Sequence, residues 1–272
     1  MTRRSPAGSI VRVAFLVLAV LVVALPFAWL ALGSLKTSDA LNDPTAVTFA
    51  PTLDNWRAVL SQGVLGAALR SLEVGLVTVA LSLLVGTMGA YAISRYKAGG
   101  RLSRFGILAA QVLPPAVLAF PFLAFAYTLR LNDTLVAVMA AHLSFVLPVV
   151  TWFLIGFFDA VPKELEEQAL VDGYGRFAAF RKVVLPQVLP GVGAAGIFGF
   201  VLSWNDLFYA LILAPGNAAT LPVSIAGFNT FRGVELGAMC GAIIVSVVPV
   251  LVVSALVQRR LVRGISGGAV KY

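Results

Sequence analysis

Histidine and cysteine each occur once in the 272 residues. The chain can therefore neither close an intrachain disulfide nor build a metal site of the usual kind from its own side chains. Charge is also scarce: 12% of residues are Asp, Glu, Lys or Arg, against about 25% in a soluble domain. No nucleophile, base and orienting group can be assembled from so few polar side chains, which argues against covalent catalysis. No G-x-x-x-x-G-K-[ST] segment is present, so the chain lacks that phosphate-cradling loop for ATP. Nor is there an internal repeat of roughly 20–50 residues. What is abundant is apolar surface, at 60% of residues. That composition belongs to a polytopic membrane protein, and Cys240, inside an apolar run, reads as a small buried hydrophobe.

Crossing about 30 Å of hydrocarbon takes about 20 predominantly apolar residues, which must be helical because lipid leaves no partner for free backbone groups. Six runs qualify, at about 10–33, 72–94, 105–129, 135–158, 188–213 and 236–257. The expected fold is all-α and integral to the membrane, a single transmembrane domain over 1–272. The first run is longer than a signal-peptide core, so a retained anchor helix is expected. Residues 34–70, with Pro44, Pro51 and Trp56, read as an external loop.

The cations orient these spans. Fifteen of the 20 Lys and Arg fall before or at the very start of the first run, between the second and third, between the fourth and fifth, or after the sixth. The positive-inside rule then puts both termini in the cytoplasm. An even number of spans requires the two termini to share a side, and they do. The cations lie in these loops, and no nucleic-acid partner is expected.

One internal loop is unlike the rest. Residues 160–190 gather acids, a Gly turn and a basic stretch between two apolar runs. Pro162 suits a first helical turn, and Glu164, Glu166 and Glu167 then sit against the positive end of the helix dipole. Leu165 and Ala169, then Leu170 and Tyr174, recur at helical spacing. Asp172-Gly173 ends that helix, since glycine takes the left-handed conformation that closes a C-terminus. A second short helix is expected from about Gly175 through Phe180, broken by Pro186 and Pro190, which launch the fifth span. A charged rim around a small apolar tip suits insertion into a partner's groove; an ordinary solvated loop is the alternative from charge alone.

The pattern Glu167, Ala169, Asp172, Gly173, Phe180, Leu185, Pro186, Pro190 resembles the EAA coupling loop of ABC importer permeases, with Gln168 in place of an alanine. Ser34–Thr37, Thr52–Trp56, Ala90–Tyr96 (AYAISRY), Ser203–Leu211 and the tail from Gln258 to Tyr272 are similar to carbohydrate-uptake permeases, in particular the smaller permease of the maltose-transporter family. The resemblance implies a type I ABC importer permease fold and a multi-pass protein of the bacterial cytoplasmic membrane. It implies a second permease as heterodimer partner, two ATP-binding subunits, an extracytoplasmic substrate-binding protein and surrounding membrane lipid. No cofactor is implied. Glu166, Glu167, Ala169, Leu170, Asp172, Gly173, Phe180 and Pro186 would engage the ATPase, joined by the tail residues Gly268, Ala269, Val270 and Lys271. Cargo is a carbohydrate on this reading, with a polyol or glycerol 3-phosphate as alternatives. An ion-coupled secondary transporter is the rival class, and it would need paired intramembrane ionisable residues.

Polar residues inside the runs are few. Trp204, Asn205, Asp206 and Tyr209 are candidates for a substrate pathway, with Asn217 alongside and the Trp204 ring placed to stack on a sugar. The competing reading is that Asn205 and Asp206 bond neighbouring helices or flank an unwound segment. His142, near Ser144, reads as a helix-packing hydrogen-bond donor or a proton relay. Arg70 and Glu73, three apart, are spaced to pair on one helix face. Pro114-Pro115 and Pro148 are expected to interrupt the third and fourth spans beside the pathway.

Overall fold

A computed structural model describes residues 6–43, 48–231 and 233–268, with side chains described from 11 to 255 within them. In chain order the helices are α1 (Pro6–Gly33), α2 (Ser38–Asn42), α3 (Asp54–Ser61), α4 (Val64–Tyr96), α5 (Gly100–Val112), α6 (Pro115–Thr128), α7 (Leu135–Ala160), α8 (Lys163–Val171) and α9 (Arg176–Ala179). A π-turn, Phe180–Val184, leads into α10 (Leu185–Trp204), followed by α11 (Phe208–Leu213) and α12 (Leu221–Ala226). An antiparallel hairpin of β1 (Asn229–Thr230) and β2 (Gly233–Val234) precedes α13 (Leu236–Gly268). Ala269, Val270 and Lys271 lie outside the described residues, and of Gly268 only its place at the end of α13 is described.

Among the described residues, five helices are long and apolar enough to cross a membrane: Val11–Gly33, Val64–Tyr96, Leu135–Ala160, Arg176–Trp204 and Leu236–Ala255. A sixth is obtained when α5 and α6 are taken together, and these bend by 89° at their junction. The third run is thus two helices at a corner. Leu113 and Pro114 are extended there (ψ 123 and 134), as residues that precede a proline tend to be. Pro148 behaves differently. It lies inside an unbroken α7, so the expected interruption does not occur.

The fifth run also departs from expectation at both ends. Pro186 and Pro190 do not break the chain's helix, which runs from Arg176 to Trp204. Leu185 stays helical (φ −58, ψ −41) although a proline follows. Its N–H reaches back to the Phe180 carbonyl, and this wide π-turn opens the coil just where the Pro186 ring would otherwise crowd the preceding turn. At the far end the helix stops at Trp204; Asn205 to Leu207 are unwound before α11 begins.

The chain divides into two units. One comprises the described residues up to Leu65 together with Ile225–Val248. Residues 34–70, read as a loop, hold α2 and α3 there, and Asn55 Nδ2 fastens the turn after α1 by donating to the Ser34 and Lys36 carbonyls at 3.1 and 2.7 Å. Gln62 Nε2 donates to Glu235 Oε2 at 3.2 Å.

The other unit holds Gly66–Ser224 and the end of α13. Here α7 is central: α10 and α5 pack along it, and α11 and α6 close one end. Val74, Val138, Ala141, Ala210 and Leu213 form part of its core. Small residues set the helix spacing, since lipid tails provide no hydrophobic drive for helices to associate. Gly191 shows this: a Cβ there would collide with the Phe157 ring, so α10 sits against α7 because this side chain is missing.

Candidate functional site

The 160–190 loop is built by α8 and by the turn that ends it. Gly173 has φ +86, a conformation that L side chains adopt at a cost. The Tyr174 N–H bonds the Ala169 carbonyl (3.0 Å) and the Gly173 N–H bonds that of Leu170 (3.1 Å). This pair of bonds is the Schellman closure anticipated from Asp172-Gly173.

The two faces of α8 differ. Glu166 and Ala169 are buried, and so is Phe180. Glu167 and Asp172 are exposed, with an apolar rim of Leu165, Leu170, Tyr174, Val171 (87% exposed) and Phe177 (68%). Glu166 is therefore not on the outward face, correcting its placement among partner-contacting residues. Its Oε2 lies 3.1 Å from Arg95 Nε, and both side chains are nearly closed to solvent. Its Oε1 accepts from the hydroxyls of Tyr91 and Tyr96. Phe180 likewise faces inward, its ring 4.5 Å from that of Tyr91 and 6.3 Å from that of Phe158. Pro186 is exposed on the first turn of α10.

Neighbouring bonds extend this cluster. Arg95 Nη2 donates to the Val161 carbonyl at 2.9 Å. Ser94 and Arg104 both donate to Asp159 at the end of α7, Arg104 at 2.9 and 3.2 Å. Arg176 stacks over Tyr96 and Lys182 over Tyr174. A cavity of about 290 Å³ opens beside the cluster, lined by Met88, Tyr91, Tyr96, Arg176, Phe177 and Phe180. Arg95 and Tyr91 were not singled out from sequence, although they stand four apart and so share a face of α4, a signal that could have found them.

A second polar group sits where the fifth span unwinds. His142, 1% exposed, places Nδ1 2.7 Å from Ser203 Oγ and Nε2 3.1 Å from Asp206 Oδ2. Partner chemistry assigns a consistent arrangement: Nε2–H donates to the carboxylate, and Nδ1 accepts from the serine hydroxyl. The same Asp206 oxygen accepts the backbone N–H groups of Tyr209 (3.1 Å) and Ala210 (3.3 Å). Asp206 thus caps α11 and ties the break to α7, as the helix-bonding reading anticipated. Ser144, expected near His142, instead returns its hydroxyl to the Ala141 carbonyl.

The other pathway candidates are corrected in part. Trp204 is 2% exposed and stacks on Phe200 with ring centroids 5.5 Å apart, so it presents no open face to a sugar within this chain. Tyr209 is buried between Phe122 and Phe145. Asn205 is exposed, its Nδ2 donating to the Val201 carbonyl at 2.9 Å. Arg70 does not pair with Glu73; its Nε donates to the Ala219 carbonyl at 2.7 Å, while Glu73 is exposed. Helix α4 passes the 214–220 turn there, within reach of the Arg70 guanidinium.

That turn is organised by Asp133, which sequence reading missed. Its carboxylate accepts three successive N–H groups, those of Gly216 (3.0 Å), Asn217 (2.8 Å) and Ala218 (3.3 Å). Desolvation alone would raise its pKa, but these donors and the Arg70 charge outweigh it and hold the carboxyl below its ordinary 3.8. Asn217, expected along the pathway, takes part here through its backbone. Among the described residues no group of three or more His, Cys, Asp or Glu could hold a metal ion.

Residues 79–267, which include the loop and the broken fifth span, match the family model of the binding-protein-dependent transport system inner membrane component. The chain belongs to this family. As a permease it is a multi-pass protein of the cytoplasmic membrane and a transport component, and the family implies ATPase and substrate-binding-protein partners. It is 34% identical over 252 residues to the trehalose transport system permease protein SugB of Mycobacterium tuberculosis, covering 91% of this chain and 92% of that one. It is 32% identical to the diacetylchitobiose uptake system permease protein DasC of Streptomyces coelicolor, with 90% and 91% covered. Among solved structures, a bacterial ABC transporter importing the acidic polysaccharide alginate matches the permease fold with a TM-score of 0.71 at 20% identity, over 95% of this chain and 99% of that one.

Proposed function

We propose that this permease is one of two different membrane subunits of an ATP-driven importer, and that its cargo is a carbohydrate. The observation that carries the reading is its likeness, over about nine-tenths of its length, to permeases named for trehalose and diacetylchitobiose. A relative named for sulfoquinovosyl glycerol, 33% identical, widens the cargo class to glycosides. Both termini and the 160–190 loop lie in the cytoplasm on this reading, since that side collects most of the cations.

Coupling follows from the two faces of α8. Leu165, Leu170, Val171, Tyr174 and Phe177 offer an apolar knob to a groove on the ATPase, and Glu167 and Asp172 supply polar contacts at its rim. The inward residues Glu166, Ala169 and Phe180 hold the knob to the spans. Closure of the ATPase pair around ATP displaces α8, and the spans switch between inward-facing and outward-facing states. The tail residues Gly268 to Lys271 would add a second contact with the same partners. Along the pathway, exposed Asn205 and Leu207 on either side of the capping Asp206 are the parts of this chain that meet the cargo, while the partner permease supplies the remaining contacts.

The test is reconstitution with the second permease, the ATPase and the binding protein. ATP hydrolysis should rise several-fold when the binding protein is loaded. Melting of the binding protein, screened against trehalose, diacetylchitobiose and sulfoquinovosyl glycerol, identifies the cargo by the sugar that raises its Tm. A complex in which no ATPase co-purifies with the permease would sink the reading.

A further inference from the structure

Arg95 and Glu166 are buried charges that the outward face of α8 does not use. Helix α8 is tied covalently to α7 through Val161 and Pro162, and to α10 through the Gly173 turn and α9. Its tie to α4 runs through side chains: the Arg95–Glu166 pair at 3.1 Å and the Tyr91 and Tyr96 hydroxyls on Glu166 Oε1, with the Tyr91 ring also packed on Phe180 of the π-turn. The two charged side chains keep 4% and 8% of their exposure. An exposed pair would be loose and screened. A buried one resists parting, because separation leaves each charge without a partner in a site closed to water. Arg95 is held from a second direction by the Val161 carbonyl, so it cannot follow Glu166 without moving the end of α7 as well.

We propose that Arg95 and Glu166 are positioning residues whose buried ion pair makes α8 and the loop end of α4 move as one body, so that a push on α8 reaches the second span directly. The proposal rests on the reading of α8 as the ATPase-docking element. It gives the Tyr91–Tyr96–Arg95 group a task distinct from docking: these residues transmit displacement and touch neither ATPase nor cargo.

The test uses the whole transporter in lipid nanodiscs, with Cys240→Ser as background and spin labels at Leu69→Cys and Glu164→Cys. Residues 69 and 95 are about 40 Å apart along α4, a span suited to pulsed EPR. With the pair intact, the label distance should be single and equal in nucleotide-free and ATP/vanadate-trapped complexes. Arg95→Gln should add a second population whose weight changes on trapping, while ATPase co-purification persists. The double reversal Arg95→Glu with Glu166→Arg should return the single distance, an outcome that loss of helix packing alone would not produce. A distance that changes on trapping with the pair intact overturns the proposal, and that measurement needs no variant of the pair to fold. So does an Arg95→Gln complex that keeps the parent's single distance in both states. If no ATPase co-purifies with the parent chain, the docking reading falls and this proposal with it, seen as missing bands and not as a shifted distance.

Discussion

The permease carries two buried polar clusters, and they differ in how their members are placed in the chain. The cluster at the 160–190 loop brings together Tyr91, Arg95 and Tyr96 from one helix and Glu166 from another, then turns an apolar rim outward beside them. The cluster at the broken fifth span, His142 with Ser203 and Asp206, closes on itself: each polar atom of the imidazole has its partner, and Asp206 spends the same oxygen on capping α11. An ion pair beside an exposed knob suits the transmission of force to a partner. A closed set of hydrogen bonds inside a helix bundle suits the holding of a shape. The lesson is that burial and charge do not by themselves mark a transport site; what the cluster faces decides.

The strongest way to break this comparison is through Gly173. Gly173→Pro demands φ near −65° where the chain has +86, and co-purification of the ATPase should fall at least tenfold. Gly173→Ala, costing about 1–2 kcal/mol for a left-handed L residue, should weaken co-purification less. If Gly173→Pro leaves both association and coupled hydrolysis unchanged, the loop is not the docking element.

Next in size is the closed cluster. His142→Leu strands Asp206 and Ser203 and should destabilise the detergent-purified permease by about 1–3 kcal/mol, read as a lower Tm. Ser203→Ala removes one interhelical bond and should cost nearer 0.6 kcal/mol, roughly the mean for such bonds in membranes. Asp206→Asn keeps an oxygen for the cap on α11 and should retain sugar uptake within a few-fold. Loss of uptake at unchanged Tm would instead move Asp206 into the substrate pathway and end the contrast between the two clusters.

The smallest effect belongs to Asp133. Its folded pKa is depressed, so the stability it contributes is fully present above the ordinary carboxylate value and is lost as pH falls through the lower folded value. Protection of the Gly216, Asn217 and Ala218 amides, taken relative to the intrinsic exchange rate at each pH, should therefore be constant near neutrality and fall in acid below that value. Asp133→Asn should remove this acid step and raise exchange at neutral pH.

Much of the loop was legible. Gly173 follows from the rule that helices close through a left-handed residue, a constraint that involves only neighbours in sequence. Pro114-Pro115 interrupt the third span as expected, with a bend of 89°. The other prolines were misread because their effect depends on more than neighbours: Pro148 is absorbed within α7, Pro190 within α10, and Pro186 is accommodated by the π-turn before it. Glu166 was counted with Glu167 among the residues that would engage the ATPase; which of the acids points inward depends on where α4 lies.

By itself the sequence determined the membrane setting, the runs of helix, the Gly173 closure and, through its motif, the family. These are consequences of composition and of contacts between residues close in the chain. Only the tertiary structure decided that Glu166 meets Arg95, that His142 meets Asp206 and that Asp133 gathers the 216–218 turn. Each of these joins residues more than sixty positions apart, where no local rule selects one partner over another and the packing of whole helices makes the choice.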